Sequence, residues 1–207
     1  MEPRTVNRRG RAPIAGRSRR PVFSEEKFRE LLLYVSERCA RDEKFGKTKL
    51  VKILYYSDFL AYGLFGHPIT GATYQALEWG PVPRELTAVI SKLKRTKQAV
   101  IVPRRYYNKT QQVPTPLRRP RLDKFSADEI ALVDQVMADL WGENAVEVSS
   151  LSHLEEGYRL SALKRTIPYE SVFLSSEPPT TADVRRAQEL AARYGWLAPE
   201  KKKKRQA

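Results

Sequence analysis

Apolar residues recur along most of this chain at helical spacing, with one interval of strand-like character. Phe28, Leu31, Leu32, Val35 and Cys39 share one face of a helix predicted over residues 25–41. Ser24 is placed to cap it, Glu25 and Glu26 suit its first turn, and Phe23 with Phe28 occupy the positions of a hydrophobic staple. After Phe45-Gly46, a second helix is predicted over residues 47–62. Leu50, Val51, Ile53, Leu54, Tyr55, Tyr56 and Phe59 make it apolar almost all round, the mark of a central helix. Gly63, Gly66, Pro68 and Gly71 signal turns, and residues 72–78 read as a short extended piece. Pro83 suits the first position of a third helix, in which Leu86, Val89, Ile90 and Leu93 keep helical spacing to residue 94.

Residues 99–107 and 110–117 predict a β-hairpin turning at Asn108-Lys109, confined to an edge by Pro103, Pro114 and Pro116. Ser126 and Glu129 form a capping box, flanked by a Phe125/Ile130 staple, that opens a helix to residue 141. Asn144 and Glu147 open another through Val148, Leu151 and Leu154, stopped at Gly157. Residues 166–179 look irregular, and a last helix covers residues 182–194. The fold class is therefore mainly α (α+β): about six helices with a small β-hairpin or sheet, in one domain over residues 21–197.

A length of 207 residues suits one domain, and a 41% hydrophobic fraction suffices for a core. The net charge of +14 invites a nucleic-acid reading until it is located. Residues 1–20 carry +6 and read as a flexible basic arm. Residues 200–207 carry +4 within a basic tail read over 198–207, and residues 103–124 carry another +6, so the rest of the chain is at −2. The basic character belongs to the ends and one hairpin. No apolar run approaches the roughly 18 residues of a membrane span, and the start lacks the apolar stretch of a secretory leader, so a cytoplasmic protein without membrane contact is expected. The Arg-rich, acid-poor start also imitates a transit peptide.

The inventory for catalysis is thin. The single Cys39 reads as a buried, inert thiol, and one Cys with two His 86 positions apart matches no zinc spacing, so neither metal nor cofactor is expected. Gly63, Gly66 and Gly71 lack both phosphate-loop and dinucleotide patterns, and His67 reads as a loop histidine. His153 has Ser149 and Ser150 a turn away and Glu155 and Glu156 beside it, but no Gly-Xaa-Ser-Xaa-Gly turn accompanies them. A structural or interface role for His153 and Glu156 is the plainer reading. Asp58, within an apolar helix, needs a partner if buried, and Lys49, Lys52 or Arg84 are placed to supply one. Trp79-Gly80-Pro81-Val82-Pro83 is the most unusual local chemistry: a permissive glycine, two stiffening prolines and an aromatic. That ring either packs in a cluster with Tyr56 and Tyr74 or is presented as a preorganised anchor.

Three blocks carry a family resemblance: residues 47–58, residues 66–74 and the Trp79-Gly80-Pro81-Val82-Pro83 turn. Their order and spacing resemble the Panacea domain, the SocA-like antitoxin domain. Residues 152–158 and 167–170 look like its later blocks, and the resemblance spans about residues 24–175. Where that family usually has Tyr-Gly-Pro, this chain has Trp79-Gly80-Pro81. The resemblance implies a mainly helical, non-enzymatic antitoxin that neutralises a cognate protein toxin by direct contact. It also implies that a bacterial protease is a possible further partner, since one member of the family acts as a proteolytic adaptor.

Because a binding protein needs a surface and not a catalytic centre, the expected anchors are Tyr74, Trp79, Gly80, Pro81, Val82, Pro83 and Arg84. Arg104, Arg105, Tyr106 and Tyr107 form a possible second patch. The alternative reading is a nucleic-acid-binding protein, in which that basic hairpin and the tails meet phosphates non-specifically and tyrosines stack on bases. An enzyme built on His153 is the third.

Overall fold

The computed structural model describes residues 21–175 and 177–194. The basic arm and the basic tail therefore lie outside the described residues. The chain divides into two units between Leu174 and Ser175.

The first unit opens with α1 (Glu25–Arg38), where the Ser24 side chain accepts from the Lys27 amide as the capping pattern requires. A 3₁₀ turn (Cys39–Arg41) leads into α2 (Lys47–Phe65), a turn longer than its apolar pattern predicts and closed by Gly66 at φ +78°. α2 packs against α1, α4 (Ala127–Asp139) and α5 (Ala145–Leu154), and so is the central helix of the unit. Both predicted capping boxes are present, Ser126 with Glu129 on α4 and Asn144 with Glu147 on α5.

Two small antiparallel sheets complete the unit. β1 (Tyr74–Leu77) pairs with β2 (Gly80–Pro83), and β3 (Ala99–Tyr106) with β4 (Lys109–Pro116). The first sheet corrects one expectation. Pro83 does not start a helix but ends β2 opposite Tyr74, and α3 (Leu86–Arg95) begins beyond it. Gly80 at φ +94° turns the chain straight back on itself, which makes residues 80–83 a strand partner. The second hairpin turns at Tyr107-Asn108, one residue before the predicted position, with Tyr107 at φ +52°.

The helix after Asn144 is also shorter than predicted. It stops at Leu154 because Glu155 is extended (ψ 128°), and a separate turn, α6 (Glu156–Arg159), follows. Gly157 is therefore not a stop. A Cβ there would collide with the Ser171 side chain of the 3₁₀ segment Tyr169–Phe173, so the glycine permits a close approach. In the second unit, α7 (Thr181–Tyr194) begins one residue before its predicted start.

Candidate partner-binding surface

The Trp79-Gly80-Pro81 turn is held from below by the central helix. Lys52 is buried, and its ammonium donates to the carbonyl of Trp79 at 2.6 Å and, more weakly, to that of Pro81 at 3.4 Å. Burial pushes the Lys52 ammonium down to about 7, while the two carbonyl dipoles favour its charged form. A Cβ on Gly80 would collide with the Lys52 ammonium and with Ser152 Oγ of α5. Glycine is thus required twice, for the positive φ and for the space.

On this support Trp79 is 67% exposed, and Arg84 is exposed just beyond the far end of β2. Val82 is half-buried, while Gly80, Pro81 and Pro83 are buried and shape the turn without presenting side chains. Tyr74 departs from the expectation of an anchor. It is 1% exposed, and its hydroxyl donates to Asp58 Oδ2 at 2.9 Å. Its ring belongs to a cluster with Tyr55, Phe59 and Tyr169 in which Trp79 takes no part. Tyr56 meets that cluster edge-on through Tyr55.

Asp58 is fully buried, and none of the proposed cations reaches it. Its carboxylate accepts from the Thr70 amide (2.6 Å), the Thr70 hydroxyl (2.5 Å) and Tyr74, with Tyr169 Oη at 3.4 Å. Burial raises its pKa to about 6 against the pull of these donors. Helical geometry explains the change of partner. At 100° per residue, Lys49 points opposite to Asp58 and Lys52 well away from it. Lys49 instead pairs with Asp42 at 2.5 Å and donates to the Glu143 carbonyl. A network of hydroxyls and one amide thereby ties α2 to the loop before β1 and to the 3₁₀ segment Tyr169–Phe173.

The second expected patch divides. Arg104 turns inward and donates through one guanidinium nitrogen to the carbonyls of Asp42, Glu43 and Phe45 and to Gln111, closing the loop between α1 and α2. Arg105 and Tyr107 are exposed, and the half-buried Tyr106 ring meets Tyr107 edge-on. Two further cations of residues 103–124 are also engaged within the fold. Arg118 grips the fully buried Glu30 with both terminal nitrogens at 2.6 and 2.7 Å, and Arg121 pairs with Glu26 at 2.6 Å. Burial alone would raise the Glu30 carboxyl, but Arg118, the Arg121 amide and Arg29 outweigh it and hold it at about 2. The nucleic-acid reading loses Arg104 and Arg118 to internal contacts, whereas Arg121 stays in an exposed surface pair.

His153 stacks flat on Tyr158 at 4.6 Å, with its Nε2 buried and unbonded. Glu156 pairs with Arg159, and the Ser152 hydroxyl donates to the Ser149 carbonyl. Among the described residues no hydrogen bond links His153 to a serine or a carboxylate. No group of His, Cys, Asp and Glu among the described residues has the arrangement to hold a metal, and no described helix is long and apolar enough to cross a membrane. Burial pushes the Cys39 thiol up to about 12, away from reactivity at neutral pH.

Lys52 and Ser152, which pack against the turn, lie within one stretch of chain that also contains Asp58, Trp79 and Arg84. The family model of the SocA-like antitoxin, Panacea domain, matches residues 50–158, just over half the chain and all of that stretch. The chain belongs to this family. The match is narrower than the 24–175 expected, leaving α1 and the 3₁₀ segment Tyr169–Phe173 outside it. No curated protein and no solved structure matches the chain. Membership of the Panacea family points to a role connected with toxin–antitoxin systems. Sequence reasoning missed Lys52 as the support of the turn. Its signal was a lysine inside an all-round apolar helix, which a burial argument would have flagged.

Proposed function

We propose that this protein is a cytoplasmic antitoxin that neutralises a cognate protein toxin by direct contact, and that the contact includes Trp79 and Arg84. The observation that carries the reading is an exposed tryptophan on a turn pinned by a buried lysine, inside the span that matches an antitoxin family. Tryptophan and arginine are the residue types most enriched among interface hot spots, and a rigid support lowers the entropy lost on binding. Binding is the proposed activity; no catalytic step is assigned.

The test is growth rescue of cells expressing the toxin encoded beside this chain. The Trp79→Ala/Arg84→Ala double variant should keep the wild-type circular dichroism and lose rescue, because neither side chain is packed in the core. Full protection by the folded double variant would remove this face from the contact. Delivery to a protease is the finer alternative mode. It predicts a toxin half-life that shortens on co-expression and recovers in a protease-deficient host, whereas simple blocking leaves the half-life unchanged.

A further inference from the structure

α4 and α5 both pack on α2 but hardly on each other, and a groove of about 320 Å³ runs between them. Its floor is Tyr56, Val136 and Leu140, and its walls are Leu60, Leu151 and Leu154. A single exposed leucine is ordinary. Here three face one concavity, with Leu154 72% exposed, and two of them stand three residues apart on α5. The opposite side of α5 is committed elsewhere, since Ser152 supports the Gly80 turn. Asp139 and Glu155 complete the lining, and neither has an ion-pair partner among the described residues. A smaller hollow of about 50 Å³ opens alongside on the same Tyr56, Leu60 and Glu155, with room for a side-chain tip. Partial burial raises the Glu155 carboxyl, although the residue as a whole is exposed at the rim of the groove.

We propose that this groove seats a basic amphipathic helix of the toxin, with apolar residues on Leu60, Leu151 and Leu154 and Lys or Arg against Asp139 and Glu155. The proposal rests on the antitoxin reading for the identity of the partner. The occupant's chemistry follows from the groove itself: an apolar helix stripe fits a three-helix trough, and two carboxylates without a cation, Glu155 and the Gln135-bonded Asp139, select its flanking charge.

The probe is a labelled amphipathic Leu/Lys peptide of about four helical turns, compared with the same peptide carrying Glu for every Lys. The full chain should bind the Lys peptide at least about tenfold more tightly than the Glu peptide. Leu151→Ser/Leu154→Ser, at exposed positions, should weaken that binding by about tenfold or more with an unchanged melting temperature. Asp139→Lys/Glu155→Lys should reverse the preference. Equal affinity for the two peptides, or unchanged binding by the leucine variant, overturns the proposal. So does a concentration-dependent dimer that the leucine variant abolishes, since the groove then belongs to a second copy. In the rescue assay, both groove variants should protect less than wild type. If wild type rescues and the groove variants rescue equally well, the groove proposal falls while the antitoxin reading stands. If wild type does not rescue at all, the antitoxin reading falls, and with it the toxin as this groove's partner.

Discussion

Gly80 shows how much one residue carries. Its backbone occupies a left-handed conformation, and its missing Cβ leaves the space taken by the Lys52 ammonium and Ser152 Oγ. In Gly80→Ala the φ becomes strained and Lys52 is pushed off the carbonyls it serves. The cost should be roughly 2–5 kcal/mol, read from chemical denaturation. A loss below 1 kcal/mol would mean that the turn relaxes freely and that Lys52 is not its support. The glycine and the prolines were conspicuous in the sequence; the lysine beneath them was not. Nothing local connects residues 52 and 80, and only the packing of the β1–β2 sheet on α2 brings them together.

At the scale of elements, the helix starts were legible and the contacts between elements were not. Ser24, Ser126 and Asn144 act within three residues of themselves, so their caps follow from local spacing. The basic segment after Pro103 looked like a surface for phosphates because seven cations face one acid there. Glu30 changes that. It lies at the centre of α1, and Arg118, just beyond β4, reaches across to it with a two-pronged grip. Removing the arginine in Arg118→Ala leaves a buried carboxylate with weaker partners, so stability should fall by about 3 kcal/mol. Arg118→Lys should recover only part of that, because a single ammonium cannot reproduce both bonds. Thermal unfolding of the two variants checks both statements, and equal stability of Arg118→Ala and wild type would show the pair to be dispensable.

At the scale of the whole molecule, two buried carboxyls give stability opposite dependences on pH. Glu30 has its pKa depressed to about 2, so its contribution is full above the ordinary carboxylate range and is lost as pH falls through that range toward 2. Asp58 has its pKa raised to about 6, so its contribution is full below about pH 4 and is lost as pH rises to 6. Each effect is on the order of 3 kcal/mol at its limit. Relative to wild type, Asp58→Asn should gain stability between pH 4 and 6, and Glu30→Gln should gain as pH falls below about 4.5. Denaturation at a series of pH values reads both, and parallel profiles for wild type and Asp58→Asn would place the Asp58 pKa at its ordinary value. By itself the sequence determined the helical class, the capped starts of α1, α4 and α5, the central position of α2 and the family, because each is written in short-range spacing or in contiguous motif blocks. Only the tertiary structure decided which polar groups are spent inside. It buried Tyr74 on Asp58, set Lys52 under the turn, turned Arg104 and Arg118 inward and left Trp79 and the Leu60, Leu151 and Leu154 groove open. The physical reason is distance along the chain: a buried charge or hydroxyl takes whichever partner the fold brings within about 3 Å, and for Tyr74, Lys52, Arg104 and Arg118 that partner is 16 to 88 residues away in sequence.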